Sequence, residues 1–179
     1  MSDAATSEAP RDPWIRFTLI FAALAVLSEL VYYSVALESA LFRDYLAAVA
    51  RVSGWILSRA VDGVQVNGTA VTSALFSVEI GRGCDAYRMC ALFSAAVLAF
   101  PARAGLKLWG IVLGLVWLNL WNFARIVGLF WIGGHAHAYF QRSHEIYFPI
   151  VLIGMTVAAW VLWVRRATHE RFGESATPA

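Results

Sequence analysis

Four apolar runs alternate with short basic or mixed joints along this chain. Residues 14–36 form the first run, preceded by Arg11 and Arg16 and broken by one acid, Glu29. Residues 84–100, 108–132 and 146–164 form the others, and a bilayer-crossing helix needs about 20 mostly apolar residues. Between the first and second runs the pattern changes twice. Over residues 37–60 the apolar positions Leu41, Tyr45, Ala48, Val52, Trp55 and Ile56 interleave with Arg43, Arg51 and Arg59. That spacing predicts an amphipathic helix lying on the membrane surface. Over residues 64–80 the period shortens towards two, and Asn67-Gly68 sits between β-prone segments, the strongest short signal for a hairpin. Asn67-Gly68-Thr69 also has the form of a glycosylation sequon, but a tight turn accounts for it better.

The expected architecture is an all-α integral membrane protein. It is a four-span helical bundle over residues 14–166, with an outer layer of surface helix and small extracytoplasmic β-hairpin at 37–83. Residues 1–13, rich in Ser, Ala, Pro and charge, read as a disordered tail, and 167–179 as a second tail. Ser34-Val35-Ala36 resembles a signal-peptide cleavage site, yet the run before it is long for a signal sequence and reads as an uncleaved anchor.

Composition agrees with this class. The chain of 179 residues is 60% hydrophobic and 15% charged, with eight Trp, and its mean hydropathy is +0.63. A net charge of only +2 gives no basis for a nucleic-acid surface. The basic residues are informative by position. Arg11 and Arg16, then Arg103 and Lys107, then Arg165, Arg166 and Arg171 fall on one side of a four-span chain, which sets both termini inside. Cys84 then opens the second span from the outside, Arg125 lies near the outer end of the third, and His144 precedes the fourth. Alanines at 91, 95 and 99 and glycines at 110 and 114 suit close helix approach.

The third run carries a costly feature. Asn119, Asn122 and Arg125 recur every three residues and share one polar stripe. An Arg at mid-membrane costs about 2.5 to 3.5 kcal/mol on insertion scales and by default marks a functional site. Cys84 and Cys90 are too few for a disulfide framework. On one helix they would be separated by about 9 Å of rise, beyond the roughly 7 Å limit for a bridge, so both are expected as free thiols. A thiolate is favoured beside cations or at a helix start, and Cys84 is expected to have both. His144 can move protons, and Arg125 can hold a thiolate or an oxyanion. The three together follow the logic of a cysteine acyl-transferase.

Other readings stand beside this one. Cys84 can be a small packing residue, Arg125 can snorkel to the interface, and His144 can be a loop histidine. His135, His137 and His144 would form a metal site only with further ligands. Glu29 either pairs with an arginine in the bundle or assists catalysis. Asp85 and Arg88 are spaced for a local ion pair.

Several elements coincide in a known family. Gly83-Cys84 opens a helix after a β-like segment, and the run from Ala95 to Ala102 closes it. Asn122-Phe123-Ala124-Arg125-Ile126 lies in the next helix, and His144 precedes the last. With these the sequence resembles the exosortase and archaeosortase family, most closely the small branch called exosortase H, over roughly residues 41–164. The resemblance implies a transpeptidase-like cysteine protease of the bacterial inner membrane with its active site on the periplasmic side. Its substrates would be C-terminal sorting signals of exported proteins, built as a short motif, a transmembrane helix and a basic cluster. It implies Cys84 as nucleophile, Arg125 as stabilising cation and His144 as general acid and base. Asn122, Glu29 and Arg88 are the supporting candidates, and no cofactor or metal is expected. The family cysteine is usually followed by Ser-Gly or Asn-Gly, where this chain has Asp85-Ala86. The alternative function is a non-enzymatic membrane scaffold whose Arg125 stripe only joins helices.

Overall fold

The computed structural model describes residues 12–36, 39–81 and 83–173. The chain is mostly helical. Three stretches are long and apolar enough to cross a membrane: Pro13–Ser34, Ala104–His135 and His137–His169. The expected tail at 1–13 lies almost wholly outside the described residues. Its last part is a helix start, where Asp12 accepts from the Trp14 N–H at 3.1 Å and Pro13 takes the first helical position.

Helix α1 (Pro13–Val31) runs into a π-helical turn, Tyr32–Ala36. Helix α2 (Ala40–Leu57) follows, with Ser39 accepting from the Phe42 N–H at 3.1 Å as its N-cap. Its buried face is not the one the sequence pattern suggested. Phe42, Leu46, Val49, Ala50, Ser53, Gly54 and Leu57 face the protein, while Leu41, Tyr45, Val52 and Trp55 remain exposed. Steps of 100° per residue place these two sets about a third of a turn apart, so α2 has two apolar faces and one basic face. One apolar face packs on α4 and the sheet, and on the other Leu41, Val52 and Trp55 stay uncovered.

The hairpin is present and carries a third strand. Strands β1 (Gln65–Asn67), β2 (Ala70–Thr72) and β3 (Ser77–Glu79) form an antiparallel sheet in the order β1-β2-β3. The first loop is Gly68-Thr69 rather than Asn67-Gly68, because Asn67 pairs with Ala70. Gly68 has φ +60°, the sign that a two-residue hairpin turn demands at its first loop position. Val66, Val71 and Val78 lie opposite one another across the three strands. This row is the inner face, with Val71 fully buried and Val66 against Gly54 of α2.

Helix α3 (Tyr87–Ala99) has 13 residues and spans about 20 Å. The expected span from Cys84 is therefore shortened at its start. Ala86 takes φ +52°, a left-handed conformation that ends helical geometry ahead of Tyr87. Helix α4 (Ala104–His135) has 32 residues, about 48 Å of rise. The loop expected around the histidines shrinks to one residue, Ala136, between α4 and the short α5 (His137–Arg142). A second π-helical turn, Ser143–Tyr147, leads into α6 (Phe148–Gly173), so that part of the expected tail beyond residue 166 is helical.

Two cores divide the molecule. One joins Tyr32, Phe42, Leu46, Val49, Leu57, Val71, Ile80, Cys84, Ile126 and Phe130. The other joins Phe93, Val97, Leu118, Trp163 and Ala167 from α3, α4 and α6. The glycines of α4 serve this second core, but not by backbone approach to the α3 alanines. A Cβ on Gly114 would fall 2.0 Å from a ring carbon of Phe93, and one on Gly110 would fall 2.1 Å from Trp163 Nε1. Each glycine is a socket for a large ring. Outside the cores, Trp14, Leu19, Leu30, Trp109, Leu113 and Leu162 are all at least 60% exposed, a band of apolar surface that suits lipid rather than water.

Candidate active site

The site forms where the irregular segment before α3 meets the C-terminal half of α4 and the π-helical turn before α6. Cys84 Sγ lies 3.7 Å from His144 Nε2, within the range of a sulfur hydrogen bond. His144 owes this position to its turn. One extra residue in a π-helical turn re-aims the side chains that follow. Phe140 stacks on the imidazole at 6.1 Å between centroids.

Arg125 is 5% exposed. Its Nη1 donates to the Gly83 carbonyl at 2.6 Å, and among the described residues it has no carboxylate partner. Its Nε is buried without a partner, as is Oδ1 of Asn122. Asn122 Nδ2 donates to the Cys84 carbonyl at 2.8 Å. Asn119 Nδ2 reaches Cys90 Sγ at 3.7 Å and the Leu115 carbonyl at 2.8 Å. The three members of the stripe thus hold the chain from Gly83 to Cys90 at successive heights. Snorkelling does not describe Arg125, since it points into protein.

Cys84 is 6% exposed and does not sit at the helix start, which is three residues further on. Burial pushes its thiol above the usual cysteine range; the Arg125 charge and a backbone hydrogen bond at Gly81 pull it down, and Asp85 raises it. The balance is upward, against the sequence expectation of a lowered value, because desolvation penalises the thiolate more than Arg125 favours it. The resting group is a neutral thiol, and its activation needs a base at contact distance.

The backbone after Cys84 is fixed by groups that the sequence did not advertise. Asp85, 3% exposed, accepts from the Tyr32 hydroxyl at 2.6 Å and from the Tyr87 N–H at 3.0 Å, and its carbonyl accepts from the Tyr45 hydroxyl at 2.6 Å. Ala86 beside it holds φ +52°. Tyr32 and Tyr45 read in sequence as parts of apolar faces; the one available signal was that a phenol placed among apolar residues needs a polar partner.

Asp85 and Arg88 do not pair. Arg88 Nε meets Glu29 Oε1 at 3.2 Å and also bonds to the Tyr33 hydroxyl. Both members of that pair are nearly half exposed. Glu29 therefore has the bundle arginine expected as one of its two readings. Glu29 and Arg88 lie beside the site, with the Tyr32 ring 5.6 Å from the Arg88 guanidinium carbon.

The remaining histidines lie apart. His135 Nδ1 is 3.1 Å from the Trp131 carbonyl and its ring stacks on Trp131, while His137 packs on Phe76 and Phe140. No three His, Cys, Asp or Glu side chains among the described residues gather in a metal-binding group. The thiols of Cys84 and Cys90 are free. Compared with known proteins, the chain matches no family model, no curated protein and no solved structure.

Proposed function

We propose that this protein is a membrane-embedded cysteine peptidase with transpeptidase capacity, similar to the exosortases, acting on C-terminal sorting signals of exported proteins. The observation that carries the reading is the 3.7 Å approach of Cys84 Sγ to His144 Nε2 beside a buried guanidinium with no carboxylate partner among the described residues. A buried cation without a counter-ion suits an anion that exists only during reaction. In this reading α3 is the fourth member of the bundle, and the basic joints put both termini on the cytoplasmic side of a bacterial inner membrane. The site then opens periplasmically.

His144 Nε2 takes the proton of Cys84 Sγ, and the sulfur attacks the scissile carbonyl carbon. Arg125 stabilises the resulting oxyanion. As the C–N bond breaks, His144 returns the proton to the leaving amine, and a thioester to Cys84 remains. Water or an acceptor amine then attacks the thioester while His144 accepts its proton, and the thiol is restored by that proton. The exposed backbone at Gly83 marks the side from which a carbonyl approaches a thiol that is otherwise covered.

The test is co-expression with a tagged reporter ending in a periplasmic segment, a hydrophobic helix and an arginine cluster taken from a companion protein of the same organism. Cleavage is expected with the native chain and lost with Cys84→Ala and with His144→Ala. Cleavage that persists in Cys84→Ala overturns the assignment.

A second reading has its own observation: all three members of the stripe bond to the segment from Gly83 to Cys90. A scaffold role would make Cys84→Ser harmless and would show Arg125→Ala only as lowered abundance.

A further inference from the structure

The β3 strand is one of the two edges of the sheet, and it is the one that leads to the nucleophile. Beyond it the sheet has no further strand among the described residues. The direction of its backbone groups follows from the register. Ser73 N–H bonds to the Phe76 carbonyl at 2.9 Å and Ile80 N–H to the Thr69 carbonyl at 2.9 Å, so these are hydrogen-bonded pairs of the β2–β3 ladder. Such pairs alternate with non-bonded ones. Val78 therefore points its N–H and C=O towards β2, whereas Ser77 and Glu79 point theirs outward, where they meet no other backbone group among the described residues.

A cleft of about 440 Å³ lies at the end of this strand, between it and the first turns of α2. Arg43, Asp44 and Glu79 line it together with the apolar Phe42, Leu46 and Ile80. This mixture of charge and apolar surface suits the side chains of a polypeptide rather than a lipid tail. The Gly81 carbonyl in its wall accepts from the Cys84 N–H at 3.1 Å. An open strand edge, a cleft of mixed lining and the thiol thus follow one another within eight residues of chain.

We infer that the outer edge of β3 and the adjoining cleft form a docking site for an extended polypeptide, which joins the sheet as a fourth strand. This rests on the peptidase reading: the occupant is the substrate segment on the amino-terminal side of the scissile bond. The outward groups of Ser77 and Glu79 are about 7 Å apart along a strand, the spacing of alternate residues in an incoming one. Main-chain bonds hold the peptide, and the cleft discriminates among its side chains. The sheet delivers the carbonyl to Cys84.

Proline at an outward position removes a docking N–H and leaves the internal ladder whole. Ser77→Pro and Glu79→Pro are expected to lower reporter cleavage about tenfold, the worth of one or two backbone hydrogen bonds, with unchanged thermal unfolding. Folded proline variants that cleave normally overturn the site.

A second measurement does not depend on catalysis or on the proline variants folding. In a Cys84→Ala, Cys90→Ala background, Glu79→Cys is paired with single cysteines scanned along the reporter's periplasmic segment. Disulfides at every second position support strand addition, even if the reporter is never cleaved. Cleavage by the native chain with no such periodicity sinks the docking site and leaves the peptidase reading standing.

Discussion

Arg125 Nη1 bonds to the carbonyl of Gly83, 42 positions earlier in the chain, at 2.6 Å. This one contact ties the C-terminal half of α4 to the residue before the thiol, and it explains why a guanidinium is used there. It places a cation beside Cys84 without neutralising it, since the carbonyl is a dipole and not a counter-ion.

In the proposed reaction Arg125→Lys keeps the charge but gathers all donors on one nitrogen, so the planar fork that bonds Gly83 with one arm and leaves another for an oxyanion is lost. Reporter cleavage is expected to fall by about 10²-fold, the usual loss when an oxyanion donor is removed, while protein abundance is kept. Cleavage rates with matched immunoblots check it. Equal rates for Lys and Arg would mean that charge alone suffices.

Cys84 holds its proton more tightly folded than unfolded, since burial outweighs Arg125. Its contribution to stability is thus intact below the ordinary cysteine pKa and declines as pH rises past that value. Iodoacetamide alkylation of a Cys90→Ala protein is expected to show a midpoint above that of free cysteine. Arg125→Gln moves it higher still, because the lowering influence is gone. A midpoint below free cysteine would contradict the sign.

Ala86 sits at φ +52°, where an L-residue costs about 1 to 2 kcal/mol. Ala86→Gly relieves this and adds a chain-entropy cost of about 0.5 to 1 kcal/mol, so stability stays level or rises slightly. Ala86→Val, β-branched, is expected to lower the melting temperature by several degrees. Thermal unfolding in detergent distinguishes them.

Asp85 is the hub of three hydrogen bonds, two of them from Tyr32 and Tyr45. Tyr32→Phe leaves a buried carboxylate oxygen without its donor, at a cost of about 1 to 3 kcal/mol. Asp85→Ala is expected to destabilise as well, and adding Tyr32→Phe to it should cost little more, since the pair acts as one unit. Additive losses would separate them.

Gly114→Ala forces a Cβ against the buried ring of Phe93 and is expected to cost about 1 to 3 kcal/mol by overpacking. Combining it with Phe93→Leu restores most of the loss. Unfolding midpoints of the single and double variants read this directly.

Sequence alone revealed the membrane class, the helices of 14–36, 108–132 and 146–164, the amphipathic α2 and a hairpin one residue out of register with the Gly68-Thr69 loop, because each is a local periodicity of apolar positions. It also exposed the stripe of Asn119, Asn122 and Arg125, because polar groups in an apolar run are costly and visible. The spacing of Cys84 and His144 carries no local signal; the charge pattern of the joints brought them to the face of Arg125, and the resemblance to exosortases added a role for each. Only the tertiary structure decided what lies across the chain. It paired Arg88 with Glu29 and not with Asp85, chose which apolar face of α2 is buried, and added β3 to the sheet. It started α3 at Tyr87, and it raised the Cys84 thiol where a helix start and a cation promised to lower it. The physical reason is common to these: desolvation, the choice of an ion's partner and backbone strain at Ala86 depend on what a residue meets after folding. No window of sequence contains those neighbours.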